Sequence, residues 1–400
     1  MMERPLDLRP LQSGALIAGG VLLLLALVLA LFVSPGFFQA YLNAYLLWLG
    51  LSLGCLVMLF VGHMAGGSWA ALIQRPLEAG AAVLPVLALL FIPLLFGMGQ
   101  LFPWTDAAFV ESEPLVAAKA GYLNVPFFIA RAILYFAIWI GGAFVYLRLS
   151  RRQDQEAEQA GKLGFRMRSL AGFWIVLYVL TMTFAAIDWG MSLTPLWFSG
   201  IYPAIHMIGQ AISGISFIIV IMVFLAGRVA AVNELLTAKR LQDLGNFLMG
   251  FLMFWAYLNF SQLIIIWSNN TMETSPYYVA RFADNWILVG AFLLLFGFFA
   301  PFVILFSRWV KRKRQALLAV AGFSLLIRVV DMFYILVPSF ERPGSQLLLL
   351  DLLLLVGLGG IWLALYLRSL AARPILPLND PRLVVDEGRA PAHGEAVSHA

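Results

Sequence analysis

The chain is poor in the residues from which most active sites are built. Among 400 residues there are one cysteine and four histidines, and Asp, Glu, Lys and Arg together make up only 12%. The single Cys55 excludes an intrachain disulfide, thiolate ligation of an iron–sulfur cluster and a CxxCH haem attachment site within this chain. His63 and His206 are the histidines that fall in apolar runs. Their runs place them at opposite leaflets, which argues against a haem held between two histidines of this chain. No HExxH, P-loop or GxSxG string occurs, so metal, nucleotide and nucleophile motifs are lacking. The expectation is a chain that binds no metal and no cofactor alone.

What is abundant is apolar. A composition that is 62% hydrophobic, with mean hydropathy +0.90, exceeds what one water-soluble core can bury. Ten stretches are long enough to cross a hydrocarbon layer as helices: roughly 13 to 33, 38 to 62, 69 to 98, 124 to 147, 170 to 188, 203 to 226, 246 to 267, 285 to 307, 315 to 338 and 346 to 368. They lack the alternation of outer-membrane strands, and backbone in lipid must satisfy its own hydrogen bonds, which leaves helices. The fold class expected is all-α, a polytopic membrane protein with about ten transmembrane helices. The run from Gly14 to Val33 is span-length and has no small-x-small cleavage site, and Ser34, Pro35 and Gly36 read as a turn into the next span.

Helices within 38–188 form one expected four-helix bundle and those within 203–338 a second, with 13–33 and 346–368 peripheral. The transmembrane domain then covers 1–371. The segment 372–400 is rich in Pro, Asp, Arg, Gly and Ala and reads as a tail too poor in apolar residues to fold alone. It contains His393 and His399, to which no role is assigned.

Placing loops alternately on two sides puts 20 of the 26 basic residues on one side and only Lys119, Arg281 and Arg342 on the other. The positive-inside rule then expects both termini in the cytoplasm. The cluster Arg308, Lys311, Arg312, Lys313 and Arg314 reads as a topology determinant beside anionic lipid headgroups, with no nucleic-acid motif beside it.

Against this apolar background the ionisable residues in spans stand out, because a charge in hydrocarbon must be paired, hydrated or neutralised. Arg75 and Glu78 share a helix face across Pro76. They read either as an ion pair near the cytoplasmic interface or as a site with a proton-carrying Glu78. Arg328 and Asp331 repeat that spacing in the middle of the ninth span, as a structural pair or as a hydrated, protonatable carboxyl beside a guanidinium. Asp188 ends the fifth span and His206 begins the sixth. If the two approach one another they form the carboxylate and imidazole that quinol oxidation or proton release requires; otherwise His206 is a structural hydrogen-bonding group. Arg131, Asn259 and Gln262 could hydrate an outward-facing cavity, while Asp351 is expected at headgroup level.

Several strings carry a resemblance. His63-Met64-Ala65-Gly66-Gly67-Ser68-Trp69 runs into Arg75-Pro76-Leu77-Glu78-Ala79-Gly80, then Leu84-Pro85 and Phe91-Ile92-Pro93. Phe102-Pro103-Trp104, Gly121-Tyr122-Leu123-Asn124, Asp188-Trp189, Gln242-Asp243-Leu244-Gly245-Asn246 and Trp267-Ser268 follow. Together they resemble the F subunit of bacterial alternative complex III, within the class of membrane subunits similar to polysulfide reductase and nitrite reductase anchors. The resemblance covers nearly the whole chain up to about residue 370.

It implies a subunit of a quinol:electron-acceptor oxidoreductase. Partners would be a paralogous quinol-binding membrane subunit, an iron–sulfur subunit and multihaem cytochrome c subunits, with haem c, iron–sulfur clusters and menaquinol or another quinol held elsewhere in the complex. The implied role is structure together with a proton path, for which Glu78, Asp188, His206, Arg328, Asp331, Arg75 and Arg131 are the candidates. A quinone site at Asp188 and His206, or an independent secondary transporter, are the alternatives.

Overall fold

The structure, a computed structural model, describes residues 8–32, 36–269, 271–283, 285–340 and 346–384. Val33, Ser34, Pro35, Arg342, His393 and His399 of the sequence analysis lie outside them. The described residues contain helices and no strand, as expected for an all-α membrane protein. Ten helical spans are long and apolar enough to cross a membrane. In chain order, spans 1 to 10 are Arg9–Ala30, Phe37–Ala65, Ser68–Phe96, Val125–Gln155, Ala157–Leu193, Tyr202–Ala226, Ala238–Asn269, Trp286–Phe306, Arg314–Ser339 and Leu349–Ala371.

Spans 2 to 5 pack on one another, as do spans 6 to 9, and spans 2 and 6 join the two groups at the centre. Lipid tails are as apolar as leucine, so helices in a membrane associate through close packing and polar contacts rather than through exclusion of water. The central crossing shows the first of these. A Cβ on Gly54 would strike the backbone of Gln210 and Gly214, and a Cβ on Gly214 would strike the backbone of Gly54. The two helix backbones therefore touch where neither carries a side chain. Polar contacts add to this: the Tyr178 hydroxyl on span 5 donates to Gln210 Oε1 on span 6 at 2.6 Å.

Spans 1 and 10 form a second glycine-lined pair, with Gly19 against Gly357 and Gly360. Span 10 is less peripheral than the sequence suggested. Trp362 Nε1 donates to Ser52 Oγ of span 2 at 2.8 Å, and Trp48 Nε1 of span 2 donates to the Leu355 carbonyl at 2.8 Å. Indole donors in hydrocarbon need partners, and these two are met only if span 10 lies flush on span 2. Asp351 at its start is buried against the rest of the protein.

Span 3 is interrupted. Its long helix Ser68–Ala81 carries Pro76 inside, and short helices Leu84–Leu89 and Ile92–Phe96 follow, each with a proline in its first turn. Such breaks leave carbonyls without intrahelical donors. Two of them are met from span 2, where the Tyr41 and Tyr45 hydroxyls donate to the Leu90 and Leu87 carbonyls at 2.8 and 2.9 Å. Span 8 is irregular too, with a π-helical segment over Leu293–Phe299.

The Gly54–Gly214 crossing yields a stability prediction. Gly54→Ala forces the two backbones apart and should cost about 1–3 kcal/mol, the usual penalty of overpacking. Gly250→Ala, where a Cβ meets open space, should leave stability unchanged or slightly raised. Denaturation of the purified protein in detergent micelles measures both.

Candidate functional site

The ionisable residues in the spans collect into three clusters, and each is resolved differently. The first lies toward the face that carries Arg151, Arg152 and the 308–314 basic cluster, called here the basic face. Glu78 sits ten residues beyond Ser68, about 15 Å along the helix axis. Arg75 Nη1 donates to Glu78 Oε2 at 2.8 Å and to the buried Ser150 hydroxyl of span 4. Gln74 Nε2 donates to Glu78 Oε1 at 2.8 Å. The other end of the Arg75 fork pairs with Asp154, near the end of span 4.

The tail completes this cluster, a contact of which the composition of 372–400 gave no sign. Arg373 donates to Glu78 Oε2 at 2.8 Å and to Asp154 Oδ2 at 2.9 Å. Arg382 Nη2 donates to Gln74 Oε1 at 2.8 Å and pairs with Asp380. The segment is too polar to fold by itself, as its composition indicated, but its guanidinium groups find carboxylates already held by spans 3 and 4. Burial alone would raise the Asp380 carboxyl; the Arg382 side chain and backbone N–H outweigh it and hold the pKa below its ordinary 3.8. Asp380 therefore stabilises the docked tail fully above that ordinary value, and the contribution is lost only as pH falls through the depressed pKa.

The second cluster lies toward the opposite face. Arg131 of span 4 forms a two-pronged pair with Asp188 of span 5: Nε to Oδ2 and Nη2 to Oδ1, both at 2.8 Å. The Tyr135 hydroxyl also donates to Oδ2 at 2.8 Å, and Asp188 is wholly buried. The guanidinium is sandwiched against the Tyr122 ring at 3.8 Å and the Phe127 ring at 4.4 Å. Behind the pair lie Phe136, Trp139 and Trp189 in edge-on and stacked contact. Every Asp188 oxygen is thus occupied, and the acid is built as a lock between two helices.

Asp188 and His206, which the sequence made candidates for mutual approach, have no bond to one another. The His206 ring stands edge-on to Tyr202 with centroids 4.7 Å apart, and its Nε2 has no partner among the described residues. The physical reason is competition. Arg131, six residues into span 4, meets the end of span 5 directly and offers two parallel N–H groups, where an imidazole offers one.

The third cluster is Arg328 and Asp331 on span 9. Arg328 Nη1 bonds Asp331 Oδ2, and Asp331 is only 2% exposed. Unlike Asp188, Asp331 borders a cavity of about 290 Å³ shared with Asn259 and Gln262 of span 7, Tyr277, Tyr278 and Tyr334. The π-helical stretch of span 8 contributes Leu293 and Leu294 to the same wall. A smaller space of about 10 Å³ on the other side joins Asp331 and Arg328 to Ser324. Here an acid borders open volume whose wall is mostly apolar, with a few amide- and hydroxyl-bearing residues set into it.

Arg281 closes the far end of this region and had been read only as a loop charge. It is 1% exposed, donates to the Tyr277 carbonyl at 2.9 Å and the Tyr334 carbonyl at 3.2 Å, and also bonds the Ile335 carbonyl. It stacks 3.4 Å over the Tyr277 ring. An arginine serving helix-terminal carbonyls carries no signature in the sequence, because its partners are backbone atoms. Asp154, Arg373 and Arg382 also escaped the reading, the first as a loop acid and the others as tail residues.

The lock predicts non-additive energetics. Removing either partner, by Arg131→Met or Asp188→Leu, leaves a buried charge unmatched and should cost about 3–5 kcal/mol, whereas the double variant should recover much of that loss. Detergent-micelle denaturation of the three variants reads the cycle, and additive losses would count against a buried lock. Compared with known proteins, the chain matches no family model and no curated protein.

Proposed function

We propose that this chain is a membrane subunit of a quinol:electron-acceptor oxidoreductase of the alternative complex III kind, and that it holds no redox centre. It provides scaffolding and a proton-conducting path, with both termini on the cytoplasmic side of a bacterial inner membrane. Haem c, iron–sulfur clusters and quinol belong to partner subunits in this reading. The resemblance of the motif strings supports the assignment to such a complex. The exposed aromatic and aliphatic surface of spans 7 and 8, including Phe254, Tyr257, Phe260, Leu288 and Leu295, suits lipid or a partner subunit.

The observation that carries the proton reading is the contrast between Asp331 and Asp188. A proton carrier has to exchange with water or with another titratable group, and so needs unoccupied space or a mobile donor beside it. Asp331 borders the cavity with Asn259, Gln262 and the three tyrosines, while both oxygens of Asp188 are held by Arg131 and Tyr135. Glu78 forms the corresponding acid toward the basic face. Between the two, the buried Ser216 and Ser324 hydroxyls have no partner among the described residues, and Gln210 with Tyr178 supplies a further polar pair. The outer half of the path runs from the cavity to Asp331, the inner half from Glu78 to the basic face.

A quinone site at Asp188 and His206 has less support, because Asp188 is saturated and His206 stands apart from it. For a transporter acting alone, the test is biochemical: the tagged chain purified in mild detergent should bring down multihaem cytochrome c and iron–sulfur subunits.

Asp331→Asn, installed in the assembled complex, keeps the shape and a hydrogen-bond acceptor for Arg328 but removes the titrating proton. The expected result is normal assembly with protons translocated per electron reduced several-fold in proteoliposomes. Unchanged stoichiometry at normal assembly would remove Asp331 from the path.

A further inference from the structure

We infer that residues 373–382 form a strap that closes the water entrance to Glu78, so that proton access from the basic face is gated by release of the tail. The inference rests on the proton-path reading for its consequence, though not for its geometry.

Charge balance is the first support. Spans 3 and 4 alone bring one cation, Arg75, to two acids, Glu78 and Asp154. The strap adds Arg373, Arg382 and Asp380, giving three guanidinium groups to three carboxylates. Without it, the cluster retains an uncompensated acid in a poorly hydrated site, a state that draws in water or a proton.

Position is the second. Among the arginines and acids that contact one another around Glu78, side-chain exposure rises from 3% for Glu78 and Arg75 through 12% for Asp154 and 15% for Arg373 to 22% for Arg382, while the strap's Asp380 is covered at 1%. The strap residues therefore occupy the layer between Glu78 and solvent. Arg373 Nη2 also reaches toward the Ser150 hydroxyl at 3.5 Å, the same oxygen that accepts from Gln74 and Arg75.

The third support is how the strap is held. Helix Val125–Gln155 ends here, and its last carbonyls lack intrahelical donors. Asn379 Nδ2 donates to two of them, Gln153 and Asp154, at 3.1 and 2.9 Å. The Leu378 N–H meets Asp154 Oδ1 at 3.3 Å. The strap is thus held by these bonds, by the Arg373 and Arg382 contacts to Glu78, Asp154 and Gln74, and by partly buried Ile375 and Leu376, a set that is mostly polar and outside the packed interior of the spans. Such an attachment opens at lower free energy than the spans it covers. A segment of this kind can leave and return while the ten spans stay folded.

The test reads access to the cluster and not activity. With Cys55→Ser as background, Ser150→Cys places a thiol of nearly the same size beside Arg75 and Arg373. In the purified full-length chain it should react slowly with a charged, water-soluble maleimide. Adding Arg373→Ala with Arg382→Ala, or ending the chain after residue 372, should accelerate the reaction by about tenfold or more. Glu158→Cys, an exposed position on the same face, should react at one rate in all three, and an unchanged size-exclusion profile shows that the spans remain folded. Equal Ser150→Cys rates with and without the strap overturn the proposal. If the strap controls labelling but Asp331→Asn leaves proton stoichiometry unchanged, the strap stands and the proton-path reading falls.

Discussion

Among the described residues, Glu78, Asp188 and Asp331 are carried into the apolar interior and each meets a guanidinium, and much of the architecture follows from how that demand is met. A lone carboxylate in hydrocarbon costs several kcal/mol. Three arginines in the spans therefore sit beside three acids: Arg75 with Glu78, Arg131 with Asp188, Arg328 with Asp331. The pairs differ in what they join. Arg131–Asp188 ties span 4 to span 5, Arg328–Asp331 lies within span 9, and Arg75 reaches from span 3 to Asp154 at the end of span 4. Pairing thus acts as specific glue in a medium where apolar contact alone discriminates poorly between neighbours.

The chemistry open to each acid is then decided by what surrounds the pair. Asp188 is enclosed by Tyr135 and an aromatic wall, and its role is to hold two helices together. Asp331 faces a cavity shaped by Tyr277, Tyr278 and the π-helical turn of span 8. π-helical turns often occur at functional sites, because the inserted residue widens the helix and redirects side chains. Glu78 is covered by a segment from the tail, through Arg373, as well as by spans 3 and 4. Three arginine–acid pairs, two of them alike in sequence spacing, thus end in three different surroundings.

Backbone requirements shape the remainder. Proline breaks in span 3 are tolerated because Tyr41 and Tyr45 reach across to the freed carbonyls. Arg281 answers the carbonyls at the end of span 9, and Asn379 those at the end of span 4. In lipid such groups have no water to fall back on, so each break in a helix calls for a particular side chain elsewhere.

By itself the sequence determined the number of the spans, their helical nature and which of them carry charge, though helices such as Ala157–Leu193 run well past the expected ends. Those properties depend on local hydrophobic runs measured against a fixed membrane thickness. The i, i+3 spacing of Arg75 with Glu78 and of Arg328 with Asp331 was legible for the same reason, since one turn of helix places both on a face. Only the tertiary structure decided that Asp188 pairs with Arg131 and not with His206, and that Asp331 borders a cavity. It also decided that span 10 lies against span 2 and that Arg373 and Arg382 return to the cluster below Glu78. The hydrogen bonds among these contacts join residues from 57 to more than 300 positions apart. They arise where glycines let helix backbones meet and where buried donors select among distant acceptors, and neither condition leaves a periodic trace in the chain.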